Sequence, residues 1–271
     1  MPSTDSVEVA VHDLGGDGPF VLFSHATGLH GLLWAPLARS LAGYHGVAID
    51  YRGHGDATEP ASGSYDWSGF RDDALAFVDD LDGEPLFGVG HSMGGAVLMM
   101  TELARPGTFR ALAVYEPIVF PGGLIEGDNP IAEGARRRRV EFPSREAALS
   151  NFSSKPPLDI LTPEVLSLYV DHGFAATPEG TIRLKCAPET EARTFEGSAR
   201  HDTDTRLTEI QCPVLVMSGP AADGRPAEMA SDVARHLPQG ELHTFERLGH
   251  FGPLENPPAV AAVVADFFSA Y

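Results

Sequence analysis

The sequence predicts an α/β fold in which a mostly parallel sheet is covered by helices on both faces. Three observations lead to this prediction. Short, nearly continuous apolar runs recur along the chain of 271 residues. Glycine, proline and polar residues that favour turns bound each run. Segments with the pattern of a helix alternate with these runs, as they do in folds built on a parallel sheet.

The strands and helices of this fold can be assigned in chain order. Five predicted strands share an apolar run between turn residues, and they lie at 19–25, 46–50, 85–90, 110–116 and 213–218. A sixth strand is predicted at 240–246. The predicted helices lie between these strands or after the last of them, at 31–42, 66–81, 93–105, 226–237 and 257–269.

The alternation stops between about residues 117 and 205. This segment, here called the insertion, opens with Pro121-Gly122-Gly123 and contains two helix starts, at Ser144 and at Thr162 before Pro163. Because unstructured loops of this length are rare, we expect a mostly helical insertion. The predicted organisation is a core formed by 1–116 and 206–271, with the insertion at 117–205 as a helical cap.

The composition excludes several kinds of partner. Lys and Arg number 19 against 38 Asp and Glu, so the formal net charge is −19. A surface this acidic repels nucleic acid and anionic lipid. The two cysteines, Cys186 and Cys212, are too few for a disulfide framework and do not have the spacing of a zinc site.

The N-terminus lacks the pattern of a signal peptide, and no apolar run reaches the ~18 residues that a membrane span needs. No cluster of metal ligands and no glycine fingerprint for a nucleotide occurs in the sequence. We therefore expect a cytoplasmic protein that uses no metal or other cofactor. Its expected partner is a small molecule, and neither nucleic acid nor a membrane.

Gly90-His91-Ser92-Met93-Gly94-Gly95 is the segment with the clearest chemical meaning. It follows a predicted strand directly and opens a predicted helix. A Gly-x-Ser-x-Gly sequence in that context forms a sharp turn, in which small residues permit close backbone packing and the serine hydroxyl projects above the sheet edge. The context predicts that Ser92 is a nucleophile.

With this motif, the chain resembles the α/β-hydrolase superfamily over nearly its whole length. The other matching elements are His25-Ala26-Thr27-Gly28 with the following Trp34, Asp50-Tyr51-Arg52-Gly53-His54-Gly55, and Leu248-Gly249-His250-Phe251. Asp56 departs from the usual serine after the second of these elements. The resemblance implies a mostly parallel, eight-stranded sheet and a catalytic triad of serine, histidine and an acid.

The resemblance also implies roles for individual residues. His250 lies in the loop where the family carries its general base, which activates Ser92. The N–H groups of Met93 and Thr27 are expected to form the oxyanion hole, although Ala26 and Gly28 replace the residues usual beside Thr27. His25 is expected to be a buried histidine held by backbone groups.

Two residues are candidates for the acid of the triad. The commoner family position, after the penultimate strand, falls on Ala222, and the carboxylate of Asp223 comes one residue late. A minority of the superfamily places the acid after the strand that follows the nucleophile helix, where this chain has Glu116. We favour Glu116, and Asp223 remains the alternative.

The insertion is expected to form a lid over Ser92. Phe142 and Tyr169 of the insertion, with Trp34 and Phe251 of the core, are predicted to contact the substrate. The run Arg136–Arg139 could bind a substrate carboxylate or phosphate, but a solvated helix face is the interpretation we favour.

The resemblance implies a serine hydrolase that cleaves a small or medium carboxylic ester or lactone through an acyl-enzyme. Thioesterases and C–C bond hydrolases share the motif around Ser92 and remain alternatives. A ligand sensor with slow turnover and a cofactor-free perhydrolase are further alternatives.

Overall fold

A central sheet carries the residues predicted to be functional. The computed structural model describes residues 1–81, 83, 85–120 and 129–271. In chain order its strands are β1 (Ala10–Gly15), β2 (Phe20–Ser24), β3 (His45–Asp50), β4 (Leu86–His91), β5 (Phe109–Tyr115), β6 (Glu141–Phe142), β7 (Phe174–Ala176), β8 (Ile182–Leu184), β9 (Val214–Ser218) and β10 (Gly240–Thr244).

Helices follow most of the strands. In chain order they are α1 (Ala35–Ser40), α2 (Trp67–Asp79), α3 (Met93–Ala104), α4 (Pro130–Arg136), α5 (Arg145–Phe152), α6 (Pro163–Gly173), α7 (Pro188–Gly197), α8 (Thr203–Arg206), α9 (Arg225–His236), α10 (Gly252–Glu255) and α11 (Pro257–Phe268). Short 3₁₀ turns lie at Thr4–Ser6, Gly31–Trp34, Leu158–Ile160, Leu207–Glu209 and Ala221–Asp223.

In the described ranges the central sheet has seven strands in the order β1-β3-β2-β4-β5-β9-β10. Only the β1–β3 pair is antiparallel, and the other neighbours pair in parallel. The α/β class with a mostly parallel sheet is thereby confirmed. Within the described residues, no helix is both long and apolar enough to cross a bilayer.

The expected number of eight strands is wrong by one. Ahead of β1 the chain forms the 3₁₀ turn Thr4–Ser6 and an isolated bridge between Pro2 and Glu8, instead of a further strand. All six predicted strands are present, whereas β1 is an addition to them. Burial alternates along β1, so its sequence has no continuous apolar run.

The insertion contains α4 to α8 and a separate antiparallel sheet with the order β6-β8-β7. Both predicted helix starts are confirmed, because Ser144 Oγ accepts from Ala147 N–H and Thr162 Oγ1 accepts from Val165 N–H. The predicted entry at Pro121-Gly122-Gly123 lies outside the described residues.

Apolar side chains cover both faces of the central sheet. One cluster joins its strands to α2, α3 and α9, and another joins them to α1 and α11. A third cluster lies mainly in the insertion and includes Phe142, Tyr169 and Phe174. The parallel strands β4, β5, β9 and β10 end at the same edge of the sheet, where ligands bind in open α/β sheets.

Candidate active site

Ser92 lies in a strained turn between β4 and α3. Its φ of +55° and ψ of −116° are rare for a residue with a side chain. The turn packs so closely that a Cβ atom at Gly94 would lie 2.2 Å from the carbonyl oxygen of Ser24. Glycine at position 94 therefore permits the geometry that projects Ser92 from the sheet edge.

His250 and Glu116 form a close pair at this edge. Nδ1 of His250 lies 2.6 Å from Oε2 of Glu116, and the other carboxylate oxygen accepts the N–H of Gly219 at 2.8 Å. The Glu116 side chain is 2% exposed and that of His250 is 32% exposed. Because a carboxylate can only accept, Nδ1 of His250 donates and Nε2 is left to take up a proton.

Asp223 does not take this position. It ends the exposed 3₁₀ turn Ala221–Asp223, in which its own N–H donates to the carbonyl of Pro220. Across the described residues, Asp223 makes no hydrogen bond or ion pair with His250. The loop after β9 instead contributes the backbone N–H of Gly219, which donates to Glu116. The sequence did not predict this hydrogen bond, because a backbone donor is not marked by any residue type.

Thr27 and Met93 meet beside Ser92. The hydroxyl of Thr27 donates to the sulfur of Met93 at 3.5 Å. Met93 is the first residue of α3, where backbone N–H groups have no acceptor within the helix. The positive end of the α3 dipole also lies here. The arrangement can stabilise a negatively charged oxygen close to Ser92.

Two buried histidines, His91 and His25, lie at the end of β4 and directly after β2, respectively. The His91 ring is centred 4.9 Å from that of His250, and burial lowers the pKa of His91 well below its ordinary value. His91 is therefore neutral and places no competing positive charge beside His250. His25 donates from Nδ1 to the carbonyl of Ala26 and accepts the N–H of Tyr51, which confirms that it is a buried loop histidine.

A cavity of about 1650 Å³ opens over Ser92 and His250. Thr27 and three of the four residues predicted to contact substrate also line it, namely Phe142, Tyr169 and Phe251. The prediction for Trp34 is wrong. Its ring packs against Phe23 in the core at a centroid distance of 5.4 Å, and its side chain is only 2% exposed, because the residue leads directly into α1 below the loop.

No group of three or more His, Cys, Asp or Glu side chains in the described ranges is placed to hold a metal ion.

Comparisons with known proteins find relatives that match nearly the whole chain. The chain is 29% identical over 260 residues to the non-heme chloroperoxidase CPO-A1 of Kitasatospora aureofaciens, covering 91% of this chain and 90% of that protein. It is 26% identical to a 2-hydroxy-6-oxononadienedioate/2-hydroxy-6-oxononatrienedioate hydrolase of Cupriavidus pinatubonensis, covering 96% of this chain and 91% of that one.

Among solved structures, E-2-(acetamidomethylene)succinate hydrolase superposes with a TM-score of 0.80 at 19% identity, covering 98% of both chains, and thus shares the fold. The family model described as the alpha/beta hydrolase family matches residues 21–263. The chain belongs to the α/β hydrolase family.

Proposed function

We propose that the protein is a serine hydrolase that cleaves a carboxylic ester or lactone through an acyl-enzyme formed on Ser92. The observation that carries the proposal is the contact between His250 and the buried Glu116. His250 and Ser92 both line the large cavity. Nucleophile, base and orienting acid are the parts that activated-serine chemistry requires.

In the proposed mechanism, Ser92 Oγ attacks the substrate carbonyl while His250 Nε2 takes up the hydroxyl proton. Glu116 stabilises the imidazolium that forms. The N–H groups of Thr27 and Met93 bind the oxyanion of the tetrahedral intermediate. His250 then returns the proton to the leaving alcohol, and a water molecule activated by His250 releases the acid.

A substrate panel tests this proposal. The panel contains p-nitrophenyl esters with acyl chains of increasing length, lactones and thioesters. We expect repeated turnover of p-nitrophenyl acetate and butyrate. A stoichiometric burst without further turnover would support the slow ligand sensor instead. Faster cleavage of thioesters than of matched oxygen esters would make the protein a thioesterase.

Two relatives favour other reactions at the same serine. Similarity to a non-heme chloroperoxidase favours peracid formation, in which hydrogen peroxide replaces water as the attacker of the acyl-enzyme. Halogenation in the presence of peroxide and acetate, lost in Ser92→Ala, would reveal that activity. Similarity to a hydrolase of an oxononadienedioate favours C–C bond cleavage, for which a dienedioate of that type is the test substrate.

The insertion is proposed to act as a cap that sets acyl preference. Phe142 lines the cavity, whereas Phe174 is equally part of the apolar cluster but is not among the lining residues. The two rings are in contact, with centroids 5.8 Å apart. They form a matched pair for separating stability from selectivity.

We expect Phe142→Ala and Phe174→Ala each to cost about 3–5 kcal/mol of folding free energy, because each removes a buried aromatic ring. Only Phe142→Ala should shift preference toward longer acyl chains. The measurement is kcat/KM over the ester series beside the denaturation midpoint of each variant. An unchanged preference in Phe142→Ala would restrict that residue to packing.

A further inference from the structure

The described lining of the cavity has a net charge opposite to that of the protein. In the chain as a whole, acidic residues outnumber Lys and Arg by 38 to 19. Among the described residues that line the cavity, the cations outnumber the carboxylates by six to three. The cations are Arg137, Arg138, Arg139, Lys155, Arg200 and Arg225, and the carboxylates are Glu133, Glu191 and Glu196.

Two of the arginines that line the cavity, Arg137 and Arg138, already have carboxylate partners. Arg138 forms an ion pair with Glu191 and also donates to the hydroxyl of Tyr169. This pair packs against the loop beside Thr27, since a Cβ at Gly28 would lie 2.6 Å from the Glu191 carboxylate. Arg137 faces Glu133 at 3.9 Å and is largely exposed.

Arg136 is the member of the run that does not line the cavity. Its guanidinium pairs with Glu133, Glu189 and Glu196. Arg136 is thus held in ion pairs at the end of α4 and is less exposed than Arg137, so the run does not form one solvated helix face.

Three cavity cations, Arg139, Lys155 and Arg225, have no carboxylate ion-pair partner in the described part of the chain. Arg225 lies over the Phe120 ring, 5.5 Å from its centre, whereas Arg139 and Lys155 lie on either side of the helix α5 in the sequence. Arg139 donates from Nε to the carbonyl of Glu141, and its guanidinium lies 4.3 Å from the centre of the Phe142 ring. Lys155 donates to the side chain of Asn151 at 2.8 Å. The Phe142 ring beneath Arg139 lies 5.4 Å from the ring of Phe152, which ends α5 three residues before Lys155, and all four residues line the cavity.

We propose that the substrate carries a carboxylate in addition to the carbonyl that Ser92 attacks, and that Arg139 and Lys155 bind this carboxylate. The inference rests on the proposed function, because it concerns the same cavity. A guanidinium matches the two oxygens of a carboxylate, and the aromatic wall accommodates the carbon chain between the two groups. The three glutamates of the cavity disfavour an anion of higher charge.

Monomethyl adipate and dimethyl adipate provide the matched test, since they share the reacting ester and differ in one negative charge. We expect kcat/KM to be about tenfold higher for the monoanion, the size of effect that one hydrogen bond to a charged group supplies. Arg139→Gln and Lys155→Gln should each remove most of this preference by raising KM for the monoanion. Added salt should weaken the preference in the wild type.

Arg235→Gln is the control for net charge, because Arg235 is exposed on α9 and pairs with Asp232 away from the cavity. It should keep the wild-type preference. Equal use of both esters by the wild type, or the same preference in Arg139→Gln, Lys155→Gln and Arg235→Gln, would overturn the inference while leaving the serine hydrolase intact.

A binding measurement separates the inference from turnover. In the Ser92→Ala background, calorimetric titration with monomethyl adipate should show binding that weakens about tenfold when Arg139→Gln is added. The absence of binding would also refute the carboxylate site. If the Ser92→Ala variant binds monomethyl adipate but the wild type shows neither hydrolysis nor fluorophosphonate labelling at Ser92, the proposed reaction is refuted and the carboxylate site is not.

Discussion

Ser92→Ala is expected to abolish both covalent labelling and ester turnover. A fluorophosphonate probe should modify the wild type at Ser92, and peptide mapping should find no such adduct in the variant. Turnover should fall on the order of 10⁶-fold, as it does when the triad serine of subtilisin is removed. The physical reason is that no other hydroxyl occupies the strained turn at the end of β4.

Ser198→Ala is the matched control for this experiment. Ser198 also lines the cavity, but its hydroxyl is occupied as a donor to the carbonyl of Phe195. The control should be labelled at Ser92 like the wild type. Labelling at another residue, together with activity retained in Ser92→Ala, would end the serine hydrolase proposal.

Glu116→Gln is expected to lower kcat/KM by about 10⁴-fold, the loss seen when the triad carboxylate of a serine protease becomes an amide. Both oxygens of Glu116 accept hydrogen bonds, from His250 and from the N–H of Gly219. An amide has one accepting oxygen, so its NH₂ group must face one of these donors. His250 then loses either its orientation or its correct tautomer.

Asp223→Asn is the comparison variant and should cost less than about tenfold, because Asp223 is an exposed residue outside this network. Steady-state kinetics of both variants, with circular dichroism to verify folding, decides between the two acids. If Asp223→Asn loses activity and Glu116→Gln keeps it, the assignment of Glu116 is wrong, and the loop after β9 must bring Asp223 to His250.

The sequence was informative wherever function depends on a local pattern. Ser92 lies in a motif that directly follows the apolar and buried strand β4, and His250 lies in a motif that the family resemblance identified. The choice between Glu116 and Asp223 was not decidable in this way, since β5 and β9 are neighbours and both loops open at the same edge. What separates the two residues is the 3₁₀ turn after β9, a feature of loop conformation.

The remaining errors have similar causes. Trp34 was assigned by its distance along the chain from His25, which says nothing about the side of the backbone on which its ring lies. The strands β6, β7 and β8 are two or three residues long, too short for a pattern. The four arginines at 136–139 form one charge run in the sequence, although Arg136 and Arg138 pair with distant glutamates whereas Arg137 and Arg139 contact residues close in the chain.

The hydrogen bonds of Glu116 also bear on how the molecule is synthesised. Its partners Gly219 and His250 lie 103 and 134 positions later in the chain. An N-terminal fragment ending shortly after β5 lacks both partners, and it also lacks β9, the strand that pairs with β5. We therefore expect such fragments to remain incompletely folded, so that any activity that depends on Ser92 should appear during cell-free translation only once the chain through His250 has been made.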